Sequence, residues 1–211
     1  MIVFDGSDGS GKGTQVERAV QFLRKMLGED QVVQSKDPGG TKLGLAIRRL
    51  MFEEVPTTEM ADGEVDLLFL AAHRNNWRTL VKPALDAGKI VVQDRWWPSQ
   101  AAYMTQREVP KPIADVYMSC HGADPDLFIF LYGDVHATLD RARARDTETH
   151  QSAKAWNSYE AMEKIQREYI LQFSMKRWWC PICIDDKGPN EVWAEVEIAI
   201  RNFMRRAGKC L

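Results

Sequence analysis

The sequence predicts an α/β domain: a parallel sheet of about five strands with helices on both faces. Three observations predict it. Short apolar runs recur near residues 2–4, 31–35, 89–93, 127–131 and 178–185. Amphipathic segments long enough to be crossover helices separate them. The first run opens onto a glycine-rich loop and then a helical pattern, a layout that cradles phosphate. In such sheets ligands sit at the carboxyl ends of the strands. The loop after Phe4, the turn after Ser35 and the pair Asp94-Arg95 fall there and converge on one cleft.

Taken in order, Ile2-Val3-Phe4 reads as a buried strand, followed by Gly6-Ser7-Asp8-Gly9-Ser10-Gly11-Lys12 and a helix starting near Gly13. Glycines let a backbone turn tightly and approach an anion. Backbone N–H groups at the helix start favour negative charge, and Lys12 reaches the outer phosphates. The match to G-x-x-x-x-G-K-[ST] departs at its last position, which is Gly13, with Thr14 one residue late. The missing hydroxyl is the one expected on Mg²⁺, so a metal must lean on water, phosphates and other groups.

Val16, Val20, Leu23 and Leu27 recur at helical spacing, and Gly28 ends that helix. After the second strand, Lys36-Asp37-Pro38-Gly39-Gly40 is turn chemistry, and Thr41 caps a helix carrying Leu43, Ile47 and Leu50. Residues 53–63 read as a loop. One long helix is expected over roughly Glu64–Ala87, kinked or restarted at Pro83 and stopped by Gly88. Residues 96–126, with Pro110, Pro112 and Pro125, read as loops and one or two helices. A helix over 135–145 carries Arg141, Arg143 and Arg145, then a polar, mobile stretch over 146–151, a helix over 156–173, the last strand and a closing helix with Val192, Val196, Ile200 and Phe203. All 211 residues are expected to form one domain, with a small lid near 141–155.

Composition sets limits. With 45% hydrophobic and 27% charged residues the chain suits an ordinary globular domain, and its net charge of −2 implies no basic surface for polymeric nucleic acid. No apolar run is long enough to span a bilayer. A strand beginning at Ile2 leaves no signal peptide. Cys180-Pro-Ile-Cys183 lacks a second ligand pair at zinc spacing and reads as small strand residues. Free thiols fit the cytoplasm, or a host's cytoplasm for a phage-encoded chain.

Lys12, Arg48, Arg95 and the arginines at 141, 143 and 145 supply positive charge for a site gripping several phosphates. Phosphoryl transfer needs that positioning and neutralisation. Asp5, Asp8 and Asp94 lie at strand ends or in the loop, placed to hold Mg²⁺ through water or to accept from a sugar hydroxyl; Asp94 alternatively orients Arg95.

These motifs carry a resemblance. The chain resembles a thymidylate kinase of the bacterial and phage type over nearly its whole length. FDGSDGSGKGTQ resembles that family's FEGxDGxGKSTQ, KDPGGT its REPGGT and LGLAIRRL its GxxIRxxL. LLFLAAHRNNW with KPALDAG resembles its LLFxAAR helix, QDRWWPSQAAY its DRYxxSxxAYQG, PDLFIFL its PDLTxxL and LDRARAR its LERIRKR. The GKGTQ ending is also what adenylate kinases show.

The resemblance implies a P-loop nucleoside monophosphate kinase using ATP and Mg²⁺, with small-molecule nucleotides as partners and a homodimer through helices that include the one bearing Phe69. Gly6 to Thr14 would hold ATP, with Lys12 on its β- and γ-phosphates. Arg95 and Arg48 would hold the acceptor phosphate, with Asp37 near it and its metal shell. Asp8 would accept from the 3′-hydroxyl. Phe69 would stack on the base. Tyr103 would sit where a 2′-hydroxyl would go, Ser99 beside it, and Tyr169 near sugar and base. A lid arginine would swing over the transferring group, but the Asp-Arg-Ile-Glu that often follows is missing, so the choice among the three stays open. The family's base-reading arginine falls on His73, with Arg74 one residue on, Gln100 replaces Ser or Thr, and Met104 replaces Gln. The acceptor is therefore dTMP, or dGMP, dAMP or a modified pyrimidine nucleotide. A nucleotide switch is the rival class, but no N-K-x-D motif occurs and Gly13 lacks the switch hydroxyl.

Overall fold

A computed structural model describes residues 1–208 apart from 56, 62, 108 and 149–157. Five parallel strands, β1 (Ile2–Gly6), β2 (Val32–Lys36), β3 (Ile90–Asp94), β4 (Leu127–Tyr132) and β5 (Trp179–Cys183), form one sheet in the order β2-β3-β1-β4-β5. The central strands are buried end to end, as a sheet covered on both faces requires. Register places Phe4 beside Asp94 and Gly6 beside Leu131, so the loop after β1 and the Asp94-Arg95 pair leave the sheet at the same edge.

Two apolar layers enclose the sheet. Ile2, Phe4, Val92, Ile129 and Leu131 pack against Val16, Val20 and Leu23 of α1 (Lys12–Leu27) and Val192, Val196 and Ile200 of α9 (Pro189–Arg206). Val3, Val91, Phe128 and Phe130 face the other helices: α2 (Lys42–Arg49), α3 (Glu64–Asn76), α4 (Lys82–Asp86), α5 (Trp97–Met104), α6 (Lys111–Ser119), α7 (Val135–Glu148) and α8 (Tyr159–Phe173).

Local signals explain the helix starts. The Thr41 hydroxyl accepts from Gly44 N at 3.0 Å, capping α2. Asp134 Oδ1 accepts from His136 N at 2.8 Å at the start of α7, and Ser158 Oγ from Ala161 N at 3.1 Å at the start of α8. The single helix expected over 64–87 is divided: a π-helical turn, Trp77–Val81, separates α3 from α4. Pro83 sits in the first turn of α4, where its missing N–H breaks no helical bond, and the wide turn before it absorbs the break.

A second π-helical turn, Leu50–Glu54, extends α2 into the segment read as loop, and a 3₁₀ turn, Thr57–Glu59, follows. Helix α7 runs past Arg145 to Glu148, overriding the polar composition; the rest of the expected mobile stretch and lid, and Trp156 at the expected start of the next helix, lie outside the described residues. Cys180 and Cys183 are free thiols in β5, as small strand residues should be.

Candidate active site

The cradle begins at Gly6, whose φ of 141° and approach to β4 leave no room for a side chain: a Cβ there would lie 2.2 Å from Leu131 O. Gly9 is tighter, at φ 80°, with a Cβ falling 1.8 Å from Thr138 O on α7. The loop is thus pressed against α7, and two polar contacts hold it there. Ser7 Oγ meets Thr138 Oγ1 at 3.2 Å, and Arg141 Nε donates to Gly9 O at 3.0 Å. Lys12 opens α1 and curls back, its Nζ donating to Gly6 O and Ser7 O at 2.8 Å each. Burial, helped by the nearby Arg95 cation, lowers this lysine to about 8.

The facing wall comes from the carboxyl end of β3. Arg95 adopts φ 64°, a left-handed conformation costly for a residue with a Cβ. Its backbone N donates to Phe4 O at 2.9 Å, which ties the turn to β1. Its guanidinium donates to Asp8 Oδ1 at 2.7 Å, Asp5 Oδ1 at 3.1 Å and Ser99 Oγ at 2.9 Å. Burial opposes its charge, but these acids hold it firmly ionised. Burial likewise lifts Asp5 against the pull of Arg95 and Lys12. Asp94 is held below the ordinary carboxylate range: burial works against this, and Lys36, at 3.0 Å, with Lys12 and Arg95 prevails. Arg48 lies over the Phe52 ring at 5.0 Å, and burial pulls it below the usual arginine value.

Between the walls lies a cleft of about 450 Å³, lined by Asp8, Gly9, Gly11, Lys12, Gly13 and Thr14 on one side and Asp37, Arg48, Asp94, Arg95 and Ser99 on the other. Phe69, Phe52, Gln100, Tyr103, Tyr117 and Trp96 line it too, and Arg145 completes it. Most of the expected site residues are thereby brought together. The exceptions have physical reasons. His73 is fully buried between the rings of Trp96 and Tyr117, at 4.2 and 5.5 Å, and does not line the cleft. Its Nδ1 meets Asp37 Oδ2 and its Nε2 donates to His121 O at 2.8 Å, so both polar atoms are committed. Arg74 turns outward to Cys120 O at 2.9 Å, and Met104 is packed into the core. Of the three altered base-pocket positions, only Gln100 faces the cleft.

Tyr169 is buried behind the site and donates to Ser99 Oγ at 2.9 Å. Of the three arginines expected in a lid, all on α7, Arg141 clamps the loop, Arg143 lies over the Tyr159 ring at 4.6 Å, and Arg145 faces the cleft. Ser7 and Ser10 are buried within the loop.

Sequence reasoning missed Asp66, Arg107, Tyr117 and Trp96. Asp66 is fully buried on α3 and is held by Arg107, whose Nε lies 3.3 Å from Oδ2; its Oδ1 also accepts from Gln100 Nε2. An acid at a buried helical position was the available signal for this pair.

A metal cage of protein groups is not built: among the described residues no cluster of three or more histidine, cysteine or acidic side chains occurs. Asp94 Oδ1, however, is buried at the cleft without a hydrogen-bond partner. An unsatisfied carboxylate oxygen beside phosphate seats fits a Mg²⁺ that keeps most of its water.

Two anion seats opposed across one cleft are what moving a phosphoryl group between nucleotides requires, since that chemistry rests on alignment and charge neutralisation. On a five-stranded parallel sheet with its phosphate loop after β1, they define a P-loop nucleoside monophosphate kinase, a phosphotransferase. The family model for thymidylate kinase matches residues 4–195, and the chain belongs to that family. Thymidylate kinase of Jannaschia sp. (strain CCS1) is 38% identical over 148 residues, covering 69% of this chain and 70% of that one. Thymidylate kinase of Wolbachia pipientis subsp. Culex pipiens (strain wPip) is 30% identical over 213 residues, covering 95% of each. The crystal structure of thymidylate kinase from Ehrlichia chaffeensis superposes with a TM-score of 0.69 at 25% identity, covering 95% of this chain and 97% of that one.

Proposed function

We propose that this chain transfers the γ-phosphoryl group of ATP to dTMP, giving dTDP and ADP. The observation that carries the reading is the single cleft in which Lys12 and its loop face Arg48 and Arg95. ATP lies along the Gly6–Thr14 loop, its β- and γ-phosphates on Lys12 and on backbone N–H groups at the start of α1. The acceptor phosphate lies between Arg95 and Arg48, its base on Phe69 and its sugar against Tyr103, where a 2′-hydroxyl would be crowded. Arg145 closes over the transferring group as the lid arginine. Arg95, detaching from Asp8 toward phosphate, leaves that carboxylate to accept from the 3′-hydroxyl.

Asp94 would hold Mg²⁺, and the ion would supply charge neutralisation along the donor phosphates. Gly13 offers no hydroxyl to such an ion, which would lean on water and phosphate for the rest.

Leu67 of α3, the helix that bears Phe69, is exposed. We infer that this helix pairs two copies into a homodimer, which sedimentation would detect. Among the described residues no helix is long and apolar enough to cross a membrane, and a cytoplasmic enzyme is the reading that fits free thiols and nucleotide substrates.

A coupled ADP-release assay over dTMP, dUMP, dCMP, dAMP and dGMP tests the proposal. Turnover with dTMP well above the others is expected. Inertness with every monophosphate would sink the kinase reading, and turnover with another base alone would reassign the acceptor.

A further inference from the structure

A base seated on Phe69 presents its edge to the far wall of the cleft, away from the phosphate seats. The polar groups on that wall decide which base is accepted, because an edge atom buried without a partner loses its hydration for nothing. His73 is committed to Asp37 and to His121 O, and Arg74 points to solvent. Gln100 remains, and its amide orientation is fixed by chemistry. Asp66 is a carboxylate already held by Arg107, so the Gln100 atom facing it must be the NH₂ group. One N–H of the amide is taken by that carboxylate, and Oε1, at the other end of the amide, is left to accept a hydrogen bond from a ligand.

Tyr117 supplies the complementary group. It stands on α6, is 2% exposed, and lines the cleft together with Phe69 and Gln100. Its ring packs on His73 at 5.5 Å, which fixes the phenol in place. Among the described residues none hydrogen-bonds its hydroxyl. Burial, with the charges of Asp37 and Asp66, raises the phenol well above its ordinary value, against a smaller opposing pull from Arg107. The group is therefore a neutral O–H, able to donate. The hydroxyl has no protein partner at the cleft, so a base that covers it must supply an acceptor or leave the O–H desolvated.

We infer that Tyr117 is a specificity-determining residue: its hydroxyl donates to the 4-oxo group of the pyrimidine while Gln100 Oε1 accepts from the adjacent ring N–H. The inference rests on the proposed reaction and adds to it the reader of the base edge. Donor beside acceptor matches thymine, which presents O4 and N3–H in that order. Cytosine presents the reverse order. The hydroxyl can rotate to accept from an N4 amino group, but Gln100 Oε1 then meets the N3 lone pair. The selection against cytosine thus comes from the fixed amide, and the grip on the oxo group comes from the phenol.

The test is Tyr117→Phe, which removes one oxygen atom and keeps the ring, assayed with dTMP and with 4-thio-dTMP, whose sulfur is a weak acceptor. A lost hydrogen bond to a buried carbonyl is worth roughly tenfold. The variant is expected to lose about tenfold in kcat/KM for dTMP, chiefly in KM, with KM for ATP unchanged. For 4-thio-dTMP the loss should shrink to roughly twofold, because the bond being deleted is already weak. A merely structural tyrosine would reduce both substrates equally. Equal losses, or no loss with dTMP, would overturn the inference. A thermal melt of the variant matching the parent secures the comparison. If the parent enzyme itself ignores dTMP, the proposed reaction fails, and that outcome is distinct from an active parent whose Tyr117→Phe variant is indifferent to the 4-position.

Discussion

Lys12 is the cation whose energetics the structure defines most sharply. Its lowering from 10.5 to about 8 amounts to about 3 kcal/mol against the charged form in the ligand-free protein, at about 1.4 kcal/mol per unit. The penalty is complete below pH 8 and is relieved as the pH rises from 8 toward 10.5, because over that window the unfolded chain holds a proton that the folded one has released. Polyphosphate reverses the balance, supplying the negative charge that burial removed. ATP binding should therefore take up a proton above pH 8. In calorimetry with buffers of different ionisation enthalpy, uptake should be small at pH 7 and about nine-tenths of a proton at pH 9, with affinity falling toward a limit of about tenfold per pH unit. Lys12→Met removes the buried charge together with its two bonds to Gly6 O and Ser7 O. Two bonds from a charged donor, at roughly 1.5–3 kcal/mol each, offset that relief of about 3 kcal/mol at neutral pH. The melting temperature should therefore move little while turnover is lost. No proton uptake at pH 9, or uptake persisting in the methionine variant, would refute the reasoning.

Other outcomes follow from the same geometry. Gly9→Ala must place a Cβ 1.8 Å from Thr138 O at a φ of 80°, so it should cost more than about 3 kcal/mol in a thermal melt and abolish nucleotide binding. The lid arginines should separate kinetically: Arg145→Ala should lower kcat by about 10³-fold with little change in KM, whereas Arg141→Ala, which frees the loop carbonyl of Gly9, should mainly raise KM for ATP. Chelation of divalent cations should abolish turnover reversibly, and Asp94→Asn should raise the Mg²⁺ concentration needed for half-maximal rate by roughly tenfold.

The order of strands and helices was legible because each strand opens on apolar residues and the crossovers are amphipathic. The cradle was legible because glycine, lysine and spacing are all local. The breaks at Trp77–Val81 and Leu50–Glu54 were not, since a π-helical turn keeps helical composition and is chosen by packing. Pro83 marked the place of the first break without its form. The base wall was the least legible part. The position four residues after Phe69 pointed to a reader of the base, yet the imidazole at His73 is too short to reach past Trp96 and Tyr117 and finds Asp37 instead. Tyr117 and Arg107 come from segments without a periodic or motif signal, and only the fold carries them to Phe69 and Asp66.

The ligand-free cleft is balanced internally, and the two seats are balanced differently. On the donor side Lys12 rests on neutral carbonyl oxygens, so an arriving polyphosphate displaces nothing charged. On the acceptor side Arg95 is already bound to Asp8 and Asp5, so a monophosphate must compete with a carboxylate for the same guanidinium. A donor seat that is underpaired and an acceptor seat that is already satisfied favour filling the donor seat first. Under the proposed reaction, loss of the Asp8 contact would ready Arg95, and because Asp8 belongs to the phosphate loop, occupancy of one seat would be felt at the other. The left-handed backbone at Arg95 serves the same end, holding the guanidinium between two carboxylates on β1 and its loop instead of letting it swing to solvent.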